Sequence, residues 1–187
     1  MNRLPDAQGA ILLVVARDAI AQRLGSAGVD HDLQDWLQEP GASFVTLTQQ
    51  GALRGCIGSL AAQRPLLEDV RANAVAAALH DPRFPPLQAV ELPRTRIEVS
   101  LLSAAEDMDV ESEANAIAQL RPGIDGVVLR LGQARGTFLP QVWESLPRPK
   151  DFLQQLKRKA GLPGDFWDED IRLARYTVSK WQEAERT

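Results

Sequence analysis

The sequence predicts an α+β fold with an internal repeat, and three observations carry that reading. Apolar residues recur at spacings of three and four in some segments and alternate in others. The alternating segments come in adjacent pairs separated by short turns, the pattern of antiparallel hairpins. The order strand, strand, helix, strand then runs twice through the 187 residues.

Each element has its own warrant. Ile11, Leu12, Val15, Ala19, Ile20 and Leu24 predict a helix over 8–24, with Gly25 placed to cap it. A short helical piece follows over "DHDLQDWLQ", residues 30–38, stopped by Pro40-Gly41. "ASFVTLT" alternates and is rich in β-branched residues, so it reads as a strand. Gln49-Gln50-Gly51 is its turn, and "ALRGCIGSL" is the return strand. Pro65 opens a helix whose buried stripe is Leu66, Leu67, Val70, Ala74 and Ala78, and Asp81-Pro82 ends it. "TRIEVSLLS" turns Ile97, Val99 and Leu101 to one side and Glu98 and Ser100 to the other. The second half repeats the order. "DGVVLRLG" and "ARGTFLP" are strands around Gln133; Pro149 opens a helix with Phe152, Leu153, Leu156 and Ala160 inward and Gly161 as cap; "IRLARYTV" closes as a strand. Arg54-Gly55-Cys56-Ile57 precedes Arg64-Pro65 as Arg135-Gly136-Thr137-Phe138 precedes Arg148-Pro149. Two matches this short fit either duplication or coincidence.

Composition excludes several classes of function. A single cysteine, Cys56, rules out an intrachain disulfide and any cysteine-built zinc or iron–sulfur site, and only His31 and His80 offer imidazole, so no metal site is expected. No stretch approaches the roughly 20 apolar residues of a membrane span, and the start reads as an amphipathic helix and not a signal peptide. A reducing, cytoplasmic setting is expected. The net charge of −4, with no basic tail, disfavours nucleic acid. The one basic run, Arg148 to Lys159, reads as a solvated helix face.

"LRGCIGSL", "DPRFPPL", "IEVSLLS", "GTFLPQVW" and "FLQQLKRKAGLP", in this order, resemble the AMMECR family, whose bacterial and archaeal branch is AmmeMemoRadiSam system protein A. The resemblance covers roughly residues 8–185. It implies one domain over that span, with room for a small lobe around 103–123. It implies two repeated strand–helix units forming one barrel-like, mostly antiparallel sheet with helices packed outside. It also implies partners, a Memo-like protein and a radical S-adenosylmethionine protein. It implies no particular reaction, it leaves any cofactor unknown, and His80 inherits no role from it.

The residues must then supply the chemistry. Residues two apart on a strand share a face, which puts Arg54 beside Cys56, where a positive charge favours the thiolate. Gly55 and Gly58 leave backbone that a ligand can approach. Arg83 of "DPRFPP" is a clamp for an anionic group or a structural partner of Asp81, Glu91 or Glu98. Glu98 is a general acid/base candidate, with Arg54 or Arg83 as the expected neighbour, or a plain solvent-facing position. The enzyme reading makes Cys56 a nucleophile or thiol ligand and Arg54, Gly55, Gly58 and Arg83 the substrate-binding set. A Cys56–His80 dyad is a minor variant, and Cys56 as a packed small hydrophobe is the bland alternative. The rival from another class is an adaptor binding the two partner proteins, for which an exposed Trp143, Trp167 or Trp181 would mark the contact surface.

Overall fold

The computed structural model describes residues 6–27 and 34–184. They belong to two compact units, Met1–Leu102 with Ser179–Thr187, and Ser103–Val178. The segment 103–123 lies within the second unit.

The first unit opens with helix α1 (Asp6–Arg23), whose Leu12, Val15, Ala16 and Ile20 are wholly buried. Of the helix expected over 30–38, α2 (Asp35–Gln38) is helical; residues 30–33, His31 among them, lie outside the described residues. β1 (Pro40–Gln49) and β2 (Ala52–Gly58) form the expected hairpin. Gln50 and Gly51 both take positive φ, 51° and 79°, as a two-residue turn matching strand twist requires. A two-residue strand β3 (Arg64–Pro65) pairs with the start of β1 and leads into α3 (Leu66–Leu79). A 3₁₀ turn over Ala89–Arg94 precedes β4 (Arg96–Leu102).

The second unit holds β5 (Glu106–Asp107), α4 (Glu113–Gln119), the hairpin β6 (Gly126–Leu131) and β7 (Ala134–Phe138), a 3₁₀ turn over Pro140–Glu144, α5 (Pro149–Lys159) and β8 (Arg172–Tyr176). β9 (Val178–Gln182) completes the first sheet.

The fold is mixed α/β with antiparallel sheets, as expected, but the strands make two sheets and neither closes into a barrel. The first has the order β2-β1-β4-β9, with β3 beside β1; the second runs β5-β8-β6-β7. The physical cause is that each unit has its own core. Val45, Leu47, Ile97 and Val99 pack with α1 and α3 in one, and Val127, Leu129 and Leu173 pack with Phe152, Leu153 and Leu156 of α5 in the other. The single strand expected over 171–178 breaks at Thr177, so its two parts serve different sheets.

Read from the hairpin outward, the two sheets have the same order: β2, β1, β4, β9 and β7, β6, β8, β5. The register agrees residue by residue. Gly55, Leu47 and Ile97 form one row in the first sheet, and Gly136, Leu129 and Leu173 form it in the second. Both glycines lie against the helix of their own unit. These matches favour duplication over coincidence.

Two local expectations need correction. Lys157, counted on a solvated face, is fully buried; its ammonium donates to Glu113 Oε1 at 2.7 Å and to the Phe166 carbonyl at 2.8 Å, because a buried charge must be paired. Trp143 and Trp181 are buried, and Trp167 packs against the second core. The Trp143 ring stacks on Phe152 at 3.8 Å and its N–H donates to the Asp125 carbonyl. Trp143 and Trp181 are core and Trp167 is half-buried at its edge, so none of the three is exposed.

Candidate functional site

β2 is an edge strand, and an edge strand carries backbone N–H and C=O groups without strand partners. At Cys56 both groups are met by the turn that follows α3. Asp81 Oδ2 accepts the Cys56 N–H at 2.9 Å, and Arg83 Nη2 donates to the Cys56 carbonyl at 3.1 Å. Asp81 and Arg83 are themselves joined, Arg83 Nε to Oδ1 at 2.9 Å and Nη2 to Oδ2 at 2.7 Å, with the Arg83 N–H also on Oδ1. The carboxylate is buried while the guanidinium is half exposed. "DPRF" thus acts as a two-pronged clamp on the backbone of one residue of the cysteine strand. Phe84 lies beneath the Arg83 guanidinium, 5.5 Å from it.

Hydrogen bonds from Arg83 hold the Asp81 carboxyl well below the usual carboxylate range; the Cys56 amide adds to this and burial opposes it. The same contact pushes the Arg83 guanidinium up. A carboxyl with a depressed folded pKa stabilises the fold above its unfolded value, about 3.9, and the contribution is lost as pH falls below that. Asp81→Asn is expected to cost about 2 kcal/mol near neutrality, from the lost charge-assisted bonds. Urea unfolding at pH 7 and at acid pH checks it: the gap between wild type and variant should shrink below about pH 4.

The clamp fixes where the thiol points. Cys56 pairs with Thr46 of β1, which pairs with Glu98 of β4, so the three side chains form one row across the sheet. They stand on the face opposite Val45, Leu47, Ile97 and Val99, and each is half-buried. The Thr46 hydroxyl donates to Cys56 Sγ at 3.4 Å. Glu98 Oε1 lies 3.8 Å from Lys180 Nζ of β9. Strand spacing separates the Cys56 and Glu98 backbones by about 10 Å, so Glu98 is not a direct base for the thiol. A molecule lying across the row would meet thiol, hydroxyl and carboxylate in turn.

The other expected site residues have different occupations. Arg54 is the extra residue of a bulge in β2, since Leu47 pairs with Gly55 and Thr48 with Leu53. Its guanidinium pairs with Glu91, at 3.2 and 3.3 Å, and donates to the Pro85 carbonyl at 2.8 Å. Glu91 also receives the Gln88 N–H, the main reason its carboxyl is held low. Arg54 therefore anchors the 3₁₀ turn, and the neighbour of Glu98 is Lys180, not Arg54 or Arg83. A Cβ on Gly55 would sit 2.1 Å from the Ala77 carbonyl oxygen, so the close approach it permits is made by α3. A Cβ on Gly58 would strike the Phe44 ring at 2.2 Å. His80 caps the end of α3, donating its backbone N–H to Ala76, and makes no hydrogen bond to Cys56. No group of three or more potential metal ligands occurs among the described residues, and no described helix is long and apolar enough to cross a membrane.

A second polar cluster was not foreseen. Asp69 of α3 is buried and accepts five hydrogen bonds: from the Ser43 N–H (2.8 Å), the Ser43 hydroxyl (2.7 Å), Asn73 (2.9 Å), the Ser59 hydroxyl (2.7 Å) and Arg64 Nε (2.9 Å). Asp69 and Asn73 are one helical turn apart, which was the available signal.

A family model described as AMMECR1 matches residues 13–181. A protein of Methanothermobacter thermautotrophicus is 38% identical, with 94% of each chain covered. Protein TK0174 of Thermococcus kodakarensis is 36% identical over 98% of this chain and 94% of its own. Among solved structures, Uncharacterized Protein PH0010 from Pyrococcus horikoshii is similar with a TM-score of 0.80 and 32% identity, covering 98% of this chain and 95% of that one. With fold, motif order and matched span in agreement, the chain belongs to the AMMECR1 family.

Proposed function

We propose that this protein is the protein A component of a three-protein cytoplasmic system, acting with a Memo-like protein and a radical S-adenosylmethionine protein through the thiol of Cys56. The observation that supports it is the clamp. Asp81 and Arg83 hold the Cys56 backbone by both its polar groups, while the residue is only half-buried and its thiol lies beside a hydroxyl. A cysteine used only for packing needs neither a clamped backbone nor a place on an incompletely buried edge strand. The repeat supplies a control: the positions matching Cys56, Thr46 and Glu98 in the second sheet are Thr137, Val128 and Ala174. The thiol and carboxylate belong to one copy of the repeat, so the common architecture does not demand them. Cys56 serves as nucleophile or thiol ligand, and Glu98 acts on the far end of a molecule lying across the row.

The test is alkylation of the native protein by iodoacetamide, followed by Cys56→Ser in the presence of both partners. Labelling of the folded chain, with loss of the system's output in Cys56→Ser and an unchanged unfolding temperature, is the expected result. A thiol that labels only after unfolding is architecture, and the proposal falls. Wild-type output from Cys56→Ser with both partners still co-purifying leaves the adaptor reading in its place.

A further inference from the structure

Away from the cysteine face, α1 and α3 border a groove of about 630 Å³, within the size range of small-molecule sites. Its donors are Arg23 and Gln22 of α1, Arg71 of α3 and His80 at the α3 terminus. Its one acid is Glu68, and the wall between is apolar, from Ala72 and Val75. Ala19, Gln22 and Arg23 are three and four residues apart, as are Glu68, Arg71 and Ala72, so each helix turns one face to the groove.

The charges in it are unspent. Among the described residues, Arg23, Arg71 and Glu68 have no ion-pair or hydrogen-bond partner, whereas Arg17, Arg54, Arg64 and Arg83 of the same unit are each paired with a carboxylate. A basic residue at a helix end is often held by the terminal carbonyls. That account fails here, because backbone donors take those carbonyls: Leu24, Gly25 and Ser26 cap Ile20, Gln22 and Ala21, and His80 and Leu87 cap Ala76 and Ala78. Among the described residues, two guanidiniums stand against one carboxylate in the groove, a positive balance in a chain of net charge −4.

We propose that this groove binds a small phosphomonoester with an apolar body. Arg23 and Arg71 grip the dianion, for which paired guanidiniums are suited. Ala72 and Val75 take the apolar part. The site is independent of Cys56, and neither reading rests on the other.

Titration of the full chain with phenyl phosphate, followed by NMR or calorimetry, tests it. One saturable site is expected, with Arg71→Gln or Arg23→Gln weakening it at least about tenfold at an unchanged unfolding temperature. Glu68→Gln should tighten it by roughly two- to fivefold, since a like charge is removed. Inorganic phosphate should bind more weakly, lacking the apolar contact. No saturation by about 10 mM, a weakness too great for a built site, overturns the proposal. So does binding indifferent to both arginines. Inorganic phosphate binding as tightly as phenyl phosphate refutes the stated ligand class.

Discussion

Asp69→Ala is expected to destabilise the protein by about 3–5 kcal/mol, since two buried donors lose their acceptor at a cost of about 1–3 kcal/mol each. Those donors are the Ser43 N–H and the Ser43 hydroxyl, both within the core, while the Asn73 amide keeps the Ser43 carbonyl at 2.9 Å. In a chain of this size the loss corresponds to a fall in Tm of roughly 6–20 °C. Arg64 reaches the same carboxylate from a side chain 39% exposed, so water replaces it readily. Arg64→Ala should therefore cost less than about 1 kcal/mol. Thermal unfolding of the two variants side by side checks the contrast. Equal losses would mean that the ion pair, and not the buried hydrogen bonds, joins α3 to β1.

Gly55→Ala should cost about 3 kcal/mol, whereas Gly136→Ala at the matching position of the second unit should change stability by no more than about 1 kcal/mol. The added Cβ meets the Ala77 carbonyl oxygen at 2.1 Å in the first case. Backbone cannot swing aside, so α3 must lift off β2. In the second case the nearest atoms, of Ala160 and Leu156, stand at 3.1 Å, which a few tenths of an ångström of movement relieves. Denaturant unfolding of both variants measures the difference. Native Cys56 labelling in Gly55→Ala adds a functional readout, because lifting α3 displaces the turn that carries Asp81 and Arg83. A Gly55→Ala protein as stable as wild type would show that α3 is not seated against β2 as described.

The clamp explains why part of the site was legible and part was not. Cys56 stood out as a single thiol in a glycine-flanked strand, and alternation assigned Glu98 to the face away from Ile97 and Val99. Strand periodicity is local, so both were readable without a fold. Arg54 misled for the same reason. The two-residue rule assumes an unbroken strand, and the bulge between Leu47 and Thr48 is a property of the β1–β2 pairing. Its guanidinium then follows Glu91, 37 residues away. In the sequence Asp81 ends a helix, and Arg83 is either an anion clamp or a structural partner of Asp81, Glu91 or Glu98. Arg83 does pair with Asp81, but both also hold the backbone of Cys56, and nothing within "DPRF" names that partner.

By itself the sequence determined the helices α1, α3 and α5, both hairpins, β4 and the family. Those features rest on spacings of two, three and four residues, on turn chemistry and on motif order, all of which survive in one dimension. Only the tertiary structure decided that the strands form two sheets, that Thr177 divides the last strand between them, and that Lys157 is buried beside Glu113. It alone assigned Arg17, Arg54, Arg64 and Arg83 their acids and placed Cys56, Thr46 and Glu98 in one row. The reason is physical. Ion pairs and sheet registers are chosen by proximity between residues dozens of positions apart, and proximity of that kind is set only when both cores close.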